Sequence, residues 1–152
     1  MEAPAIKNLY IFSSKNIFKV LREQIDSELQ ELTKNYEISF IKDALDETKM
    51  NLVEGADGII CFVRDKLDEK VLGELKKRGI KAIFLRCQNH YWVDDDAARK
   101  INLPISYAPY YSPYSVAEYT MALLTAVNRK IHKAYNRVRE GNFELDGLLG
   151  II

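Results

Sequence analysis

Short apolar runs punctuate the chain, and apolar residues at helical spacing fill the intervals between them. The run IKNLYIF, Ile6 to Phe12, predicts a buried strand. After it Ile17, Val20, Leu21, Ile25, Leu29 and Leu32 recur every three or four residues, the spacing of one helix face. YEISFI, Tyr36 to Ile41, alternates and predicts a strand with one wetter face. Asp46 is placed to cap a short helix that stops near Gly55. GIICFV (58–63) and KAIFLR (81–86) read as further strands, separated by a helix over 68–78 that Gly79 closes. A polar, aromatic loop follows, then a short helix over 94–100, then ISYA (105–108) as a fifth strand. Strand and helix alternating over short connections predict a parallel sheet covered on both faces. Right-handed crossovers narrow this to a doubly wound, flavodoxin-like α/β sheet of about five parallel strands.

The pattern changes at Pro113. From Tyr114 to Glu140 there is neither Gly nor Pro, and Val116, Thr120, Leu123, Val127, Ile131, Ala134 and Val138 form one stripe. This predicts a single helix of about seven turns. It divides the chain into a flavodoxin-like domain over 1–112 and a helix with its tail over 113–152. Arg129, Lys130, Lys133, Arg137 and Arg139 oppose one acid, Glu140, over its last turns, a charge pattern that suits a helix C-terminus. A helix of that length overshoots a small domain, so its apolar positions Val116, Tyr119, Leu123, Val127 and Ile131 are expected to form an interface. Five of the nine tyrosines (Tyr107, Tyr110, Tyr111, Tyr114 and Tyr119) crowd the segment where the two parts meet. They read equally as an interface or cleft wall and as a hinge packed on the sheet.

Composition removes several classes of function. Lys plus Arg equals Asp plus Glu, 22 of each, so no net field recruits nucleic acid or an anionic membrane. No apolar run approaches the ~20 residues of a membrane helix, and the N-terminus has neither part of a signal peptide. Cys61 and Cys87 have no metal-type spacing, and a reducing, cytoplasmic setting is the simplest fit.

The architecture points to the C-terminal ends of the strands as the place for a ligand. Ser13 and Ser14 follow the first strand, where a flavin phosphate loop would want glycine and a phospho-receiver would want acids. No G-x-G-x-x-G occurs, so the sequence predicts no cofactor and no metal. His90 lies three residues from Cys87 on a loop at a strand end. A Cys/His pair is conceivable there, but the blander expectation is a buried thiol and a loop histidine without shared geometry. His132, beside the apolar stripe on a basic helix, is expected to be solvated. Asp94, Asp95 and Asp96 read as a helix start rather than a metal site.

Three segments carry a family resemblance: ADGIICFVRDKLDEKVLGELKKRGIKAIFLRC (56–87), APYYSPYSVAEYT (108–120) and NRKIHKAYNRVREGNFELDGLLG (128–150). Together they resemble the N-terminal part of the D-isomer-specific 2-hydroxyacid dehydrogenases, D-lactate dehydrogenases in particular. The resemblance implies a first domain that helps form the substrate cleft, a long dimerisation helix, and then an NAD-binding Rossmann domain. On that reading the sequence ends ahead of the glycine-rich turn for NAD and ahead of the catalytic Arg, Glu and His. The family loop R-C-A-G-F-N-N-V-D, whose amides hold the substrate carboxylate, corresponds to the stretch from Arg86 to Asp94. Gln88 and Asn89 then stand for the small Ala-Gly pair. Asn tolerates positive φ, which would preserve the turn, while two larger side chains and Trp92 would crowd the pocket. Tyr111 matches the substrate-facing tyrosine before Ser-Pro, and Tyr119 stands where the family has His.

The resulting expectation is a D-2-hydroxyacid dehydrogenase-like module without activity of its own, which dimerises or binds a small molecule. The alternative is the substrate-binding part of an active oxidoreductase, working in trans with a chain that supplies the Rossmann domain and its NAD. The expected partners are a second copy through the long helix, a full-length dehydrogenase chain, or a small 2-oxo or 2-hydroxy acid. No nucleic acid and no membrane are expected.

Overall fold

The computed structural model describes residues 5–12 and 34–149, and the helix predicted over 17–32 lies outside the described residues. Five parallel strands form one sheet in the order β2-β1-β3-β4-β5. They are β1 (Asn8–Phe12), β2 (Glu37–Ile41), β3 (Gly58–Cys61), β4 (Ala82–Leu85) and β5 (Ile105–Tyr107). The chain doubles back between β1 and β3, the switch point beside which doubly wound folds bind ligands. The α/β expectation therefore holds, down to the strand count.

Each strand sits where its apolar run predicts, trimmed by one or two residues. The interior strands β1, β3 and β4 bury Ile11, Phe12, Ile59, Cys61, Ile83 and Leu85. The edge strand β2 alternates in exposure, as YEISFI foretold. Helix α1 (Glu69–Lys77) starts where the Asp68 carboxylate accepts the Val71 amide at 3.0 Å and buries Val71, Leu72 and Leu75 against the sheet. It ends at Gly79, whose φ of +89° is a conformation that side chains rarely adopt. A Cβ there would touch nothing within 4 Å, so backbone conformation alone calls for glycine. Helix α2 (Asp95–Lys100) is capped by Asp94, which accepts the Ala97 amide at 2.9 Å.

The helix expected after Asp46 forms as a 3₁₀ segment, Glu47–Val53, kinked at Lys49. Asp46 caps it as predicted, but one carboxylate oxygen takes both the amide (2.9 Å) and the hydroxyl (2.6 Å) of Thr48. The Lys49 ammonium is drawn back to Asp43 at 2.8 Å. This tightens the first turn while Met50 and Val53 reach the core.

At the opposite end of the sheet from the strand C-termini, Asp57 ties three segments together. Its carboxylate accepts the amides of Lys7 (2.9 Å) and Asn8 (3.0 Å) and pairs with the Lys81 ammonium at 2.6 Å. The Lys81 contact, followed by the Asn8 and Lys7 amides, holds its carboxyl well below the usual carboxylate range.

The chain separates into two compact units, 1–109 and 110–152. In the second, the single helix predicted over 114–140 is two: α3 (Pro113–Asn128) and α4 (Ile131–Arg139). The stripe from Val116 to Val138 is consequently broken, and Ile131 opens a separate helix. The break is a left-handed residue, Lys130, with φ of 51°. Before it the Arg129 amide still reaches Thr125 O at 2.9 Å, whereas the Lys130 amide closes a tighter turn on Val127 O at 3.2 Å. The residue at the bend is also tied to the tail. The Lys130 ammonium binds Gly147 O at 2.9 Å, and the Arg137 guanidinium takes the carbonyls of Glu144 and Asp146. The tail is thereby folded onto α4. No described helix is long and apolar enough to cross a membrane.

Candidate functional site

Three loops leave the C-terminal ends of β3, β4 and β5. The first, after β3, is organised by Asp65, the buried charged residue of the described core. One of its carboxylate oxygens accepts the Leu45 amide and the other the Phe62 amide, each at 2.6 Å. Burial pushes its carboxyl up, against the pull of those two amides and of Arg86. Nothing in the sequence separates Asp65 from the surface acids around it, and the sequence reading missed it.

The second loop, 86–94, is anchored at both ends. At its start the Arg86 amide donates to Cys61 O at 2.9 Å, while the guanidinium lies over the Phe62 ring, 4.5 Å from its centroid. At its end Leu67 and Val93 form a parallel bridge, and the Asp94 amide donates to Leu67 O at 3.0 Å. The third loop joins it where the Ala108 amide meets Cys87 O at 3.2 Å and the Gln88 side-chain amide meets Pro109 O at 3.1 Å. Between these anchors the backbone amides of Gln88, Asn89 and His90 donate to no acceptor among the described residues. Donors in succession at a strand end are what an anion requires.

Asn89 does not take the glycine-like conformation anticipated for it. Positive φ among non-glycine residues is confined to Asn102, Ser112 and Lys130 among the described residues. With Gln88 strapped to Pro109 O, the loop turns without a left-handed residue. Gln88 and Asn89 are both exposed, Trp92 is half-buried, and its ring meets Tyr91 edge-on at 5.6 Å. Tyr111 belongs to the second unit and is exposed, as are the other four tyrosines of the cluster.

No hydrogen bond joins the His90 and Cys87 side chains among the described residues, and the Cys87 thiol, expected to be buried, is only partly so. The histidine instead places Nε2 3.2 Å from an Asp95 carboxylate oxygen and rests its ring on Tyr107, centroids 4.5 Å apart. Both rings, with Asp95, Ala98, Leu103 and Ile105, line an open groove of about 660 Å³ between α2 and β5. Burial raises the Cys87 thiol, and burial together with the Asp65 charge raises the Cys61 thiol well above its ordinary value. Both therefore stay protonated and make poor nucleophiles. His132 is exposed. No group of three or more metal-binding side chains gathers among the described residues. The loops after β3, β4 and β5 contain no glycine, so none offers the close backbone approach that a dinucleotide pyrophosphate needs.

Residues 16–142 match the D-isomer specific 2-hydroxyacid dehydrogenase catalytic domain. A putative D-lactate dehydrogenase of Dictyostelium discoideum is 42% identical over 116 residues, which cover 76% of this chain and 34% of that protein. The D-lactate dehydrogenase of Escherichia coli is 36% identical over 142 residues, covering 93% of this chain and 42% of the enzyme. A pyruvate reductase structure from Chlamydomonas reinhardtii superposes with a TM-score of 0.79 at 33% identity, over 97% of this chain and 42% of that one. The chain thus spans between a third and under half of the length of these relatives. A domain match across most of its residues, and a sheet that superposes on a solved relative, place this chain in the D-isomer-specific 2-hydroxyacid dehydrogenase family.

Proposed function

We propose that the parallel-sheet unit is the substrate-binding part of a D-2-hydroxyacid dehydrogenase of the D-lactate type, and that this chain alone binds without catalysing. The observation that carries the reading is the row of unmatched amides at Gln88, Asn89 and His90. In this position, on this family's domain, they suit the carboxylate of a small 2-oxo or 2-hydroxy acid such as pyruvate. Hydride transfer needs a nicotinamide, and the glycine-free loops do not fit one, so the NAD site would come from another domain or chain. Titration calorimetry with pyruvate, beside an assay of NADH oxidation, tests both halves. Pyruvate binding with no turnover is expected, and turnover should emerge when an NAD-binding domain of a relative is added. Absence of binding would overturn the first half, and turnover by the chain alone would overturn the second.

A second role is favoured by α3. Val116, Tyr119, Leu123 and Val127 are each about half or more exposed, at 65%, 66%, 48% and 65%. A contiguous apolar face of that kind is characteristic of an interaction surface. Its proposed occupant is a second copy of the chain or a full-length dehydrogenase. Light scattering behind a sizing column reads the mass directly, and a monomer at micromolar concentration would remove the self-association reading.

A further inference from the structure

The row of unmatched amides begins just past the β4–β5 ladder, whose last pair is Leu85 with Tyr107. Beyond that pair the two loops stay joined, first by the Ala108 amide on Cys87 O at 3.2 Å. The Gln88 side-chain amide then donates to Pro109 O at 3.1 Å. Proline has no N–H, so Pro109 offers the neighbouring loop an acceptor and nothing in return. A side-chain nitrogen takes that acceptor, and the Gln88 backbone N–H is left without one among the described residues. The far end of the row is held separately, by the Val93 amide on His90 O at 2.9 Å and by the His90 ring on Tyr107. The strap thus ties the near end of the three amides without consuming any of them. A side chain expected to crowd the pocket is instead engaged with the loop after β5.

We propose that Gln88 is a positioning residue of the carboxylate site: its side-chain amide, bound to Pro109 O, holds the 88–90 amides in the turn that receives the anion. This role rests on the substrate-binding reading above. A loop held in its binding conformation before the ligand arrives spares the complex the cost of ordering it. Gln88 is exposed, and the loss of one neutral hydrogen bond there should weaken pyruvate binding about three- to ten-fold. Gln88→Met keeps the length of the side chain without the donor, and Gln88→Ala removes its bulk as well. Both should bind more weakly by a similar factor.

The experiment is calorimetry with pyruvate on the full chain and both variants, with a urea melt of each and NMR of the ligand-free proteins. Weaker binding at an unchanged urea midpoint is expected, because a merely structural bond would move the midpoint and leave the affinity alone. The Tyr110 amide shares a peptide unit with Pro109 O, so its resonance reports the strap, and the His90 amide reports the row. Both resonances should shift in both variants, while those of Ile59 and Ile83 in the core strands stay in place. Tighter binding by Gln88→Ala would show that the side chain obstructs the site and would overturn the proposal. Unchanged affinity in Gln88→Met would overturn it equally. If the wild-type chain binds no pyruvate, the substrate reading fails on its own, and the ligand-free spectra decide the strap. A His90 amide that moves together with that of Tyr110 upholds the positioning of the row, and one that keeps its wild-type resonance in both variants ends it.

Discussion

Leu72 and Leu123 are the same residue in the same kind of element, and they meet opposite fates. Leu72, on α1 of the first unit, is fully buried under the sheet, while Leu123, on α3 of the second, is 48% exposed. Helices α3 and α4 bury none of their residues, although α3 is the more apolar in sequence. An apolar stripe states that a helix has a face to hide. It does not state what hides it. In the first unit the core around Leu72 does so, whereas Leu123 on α3 stays exposed.

The contrast can be broken most directly at its buried end. Leu72→Ala leaves a cavity against the sheet and should cost about 2–5 kcal/mol in a urea melt. A loss below 1 kcal/mol would mean that the α1 packing is looser than its burial implies. Asp65→Ala comes next, because it strips the acceptor from two amides at once and should cost about 1–3 kcal/mol. Asp65→Asn, which keeps one acceptor oxygen, should lose less.

The two structural carboxylates pull stability in opposite directions with pH. Asp57 has a lowered carboxyl in the folded state, so its contribution is present above the unfolded value of about 3.9 and fades as pH falls below it. Asp65 has a raised carboxyl, so the folded state holds its proton more tightly. Its penalty is absent at low pH and grows as pH climbs from about 3.9 through the raised folded value. Urea midpoints for Asp57→Asn should therefore converge on those of the wild type in acid. Midpoints that stay parallel down to about pH 2 would show that the Asp57 contribution does not depend on its ionisation, against the lowered carboxyl.

Smaller effects sharpen the comparison. Gly79→Ala meets no atom but must hold a left-handed backbone, a cost of about 1–2 kcal/mol at the end of α1. Leu123→Glu should change the urea midpoint least, by under about 0.5 kcal/mol in the monomer, as expected for an exposed position. It should nonetheless lower the mass seen by light scattering if the α3 face is where copies meet. A large loss of stability with unchanged mass would show that Leu123 packs within its own chain.

Most of the fold was legible because its signals are local. A strand needs an apolar run between turn residues, and a helix needs a stripe with a cap. Asp46, Asp68 and Asp94 each cap an amide two or three residues ahead, well within reach of a sequence reading. The site was less legible. Asp65 reaches back twenty residues to Leu45. His90 chooses Asp95 and Tyr107 over the nearer Cys87 because α2 and β5 bring them there. Asn89, the natural candidate for a left-handed turn, does not supply one, since Gln88 ties the loop to Pro109 O by another route.

The order of apolar runs, stripes and caps was therefore enough to determine a five-stranded parallel α/β sheet, while the family was carried by the resemblance of three segments, 56–87, 108–120 and 128–150. These features depend on residues within about one helical turn of each other. Tertiary structure alone decided where the last long stripe would break, at Lys130. It also decided which carboxylate would be buried, Asp65. Both outcomes involve partners well along the chain, Gly147 for Lys130 and Leu45 for Asp65, and local spacing carries no record of them.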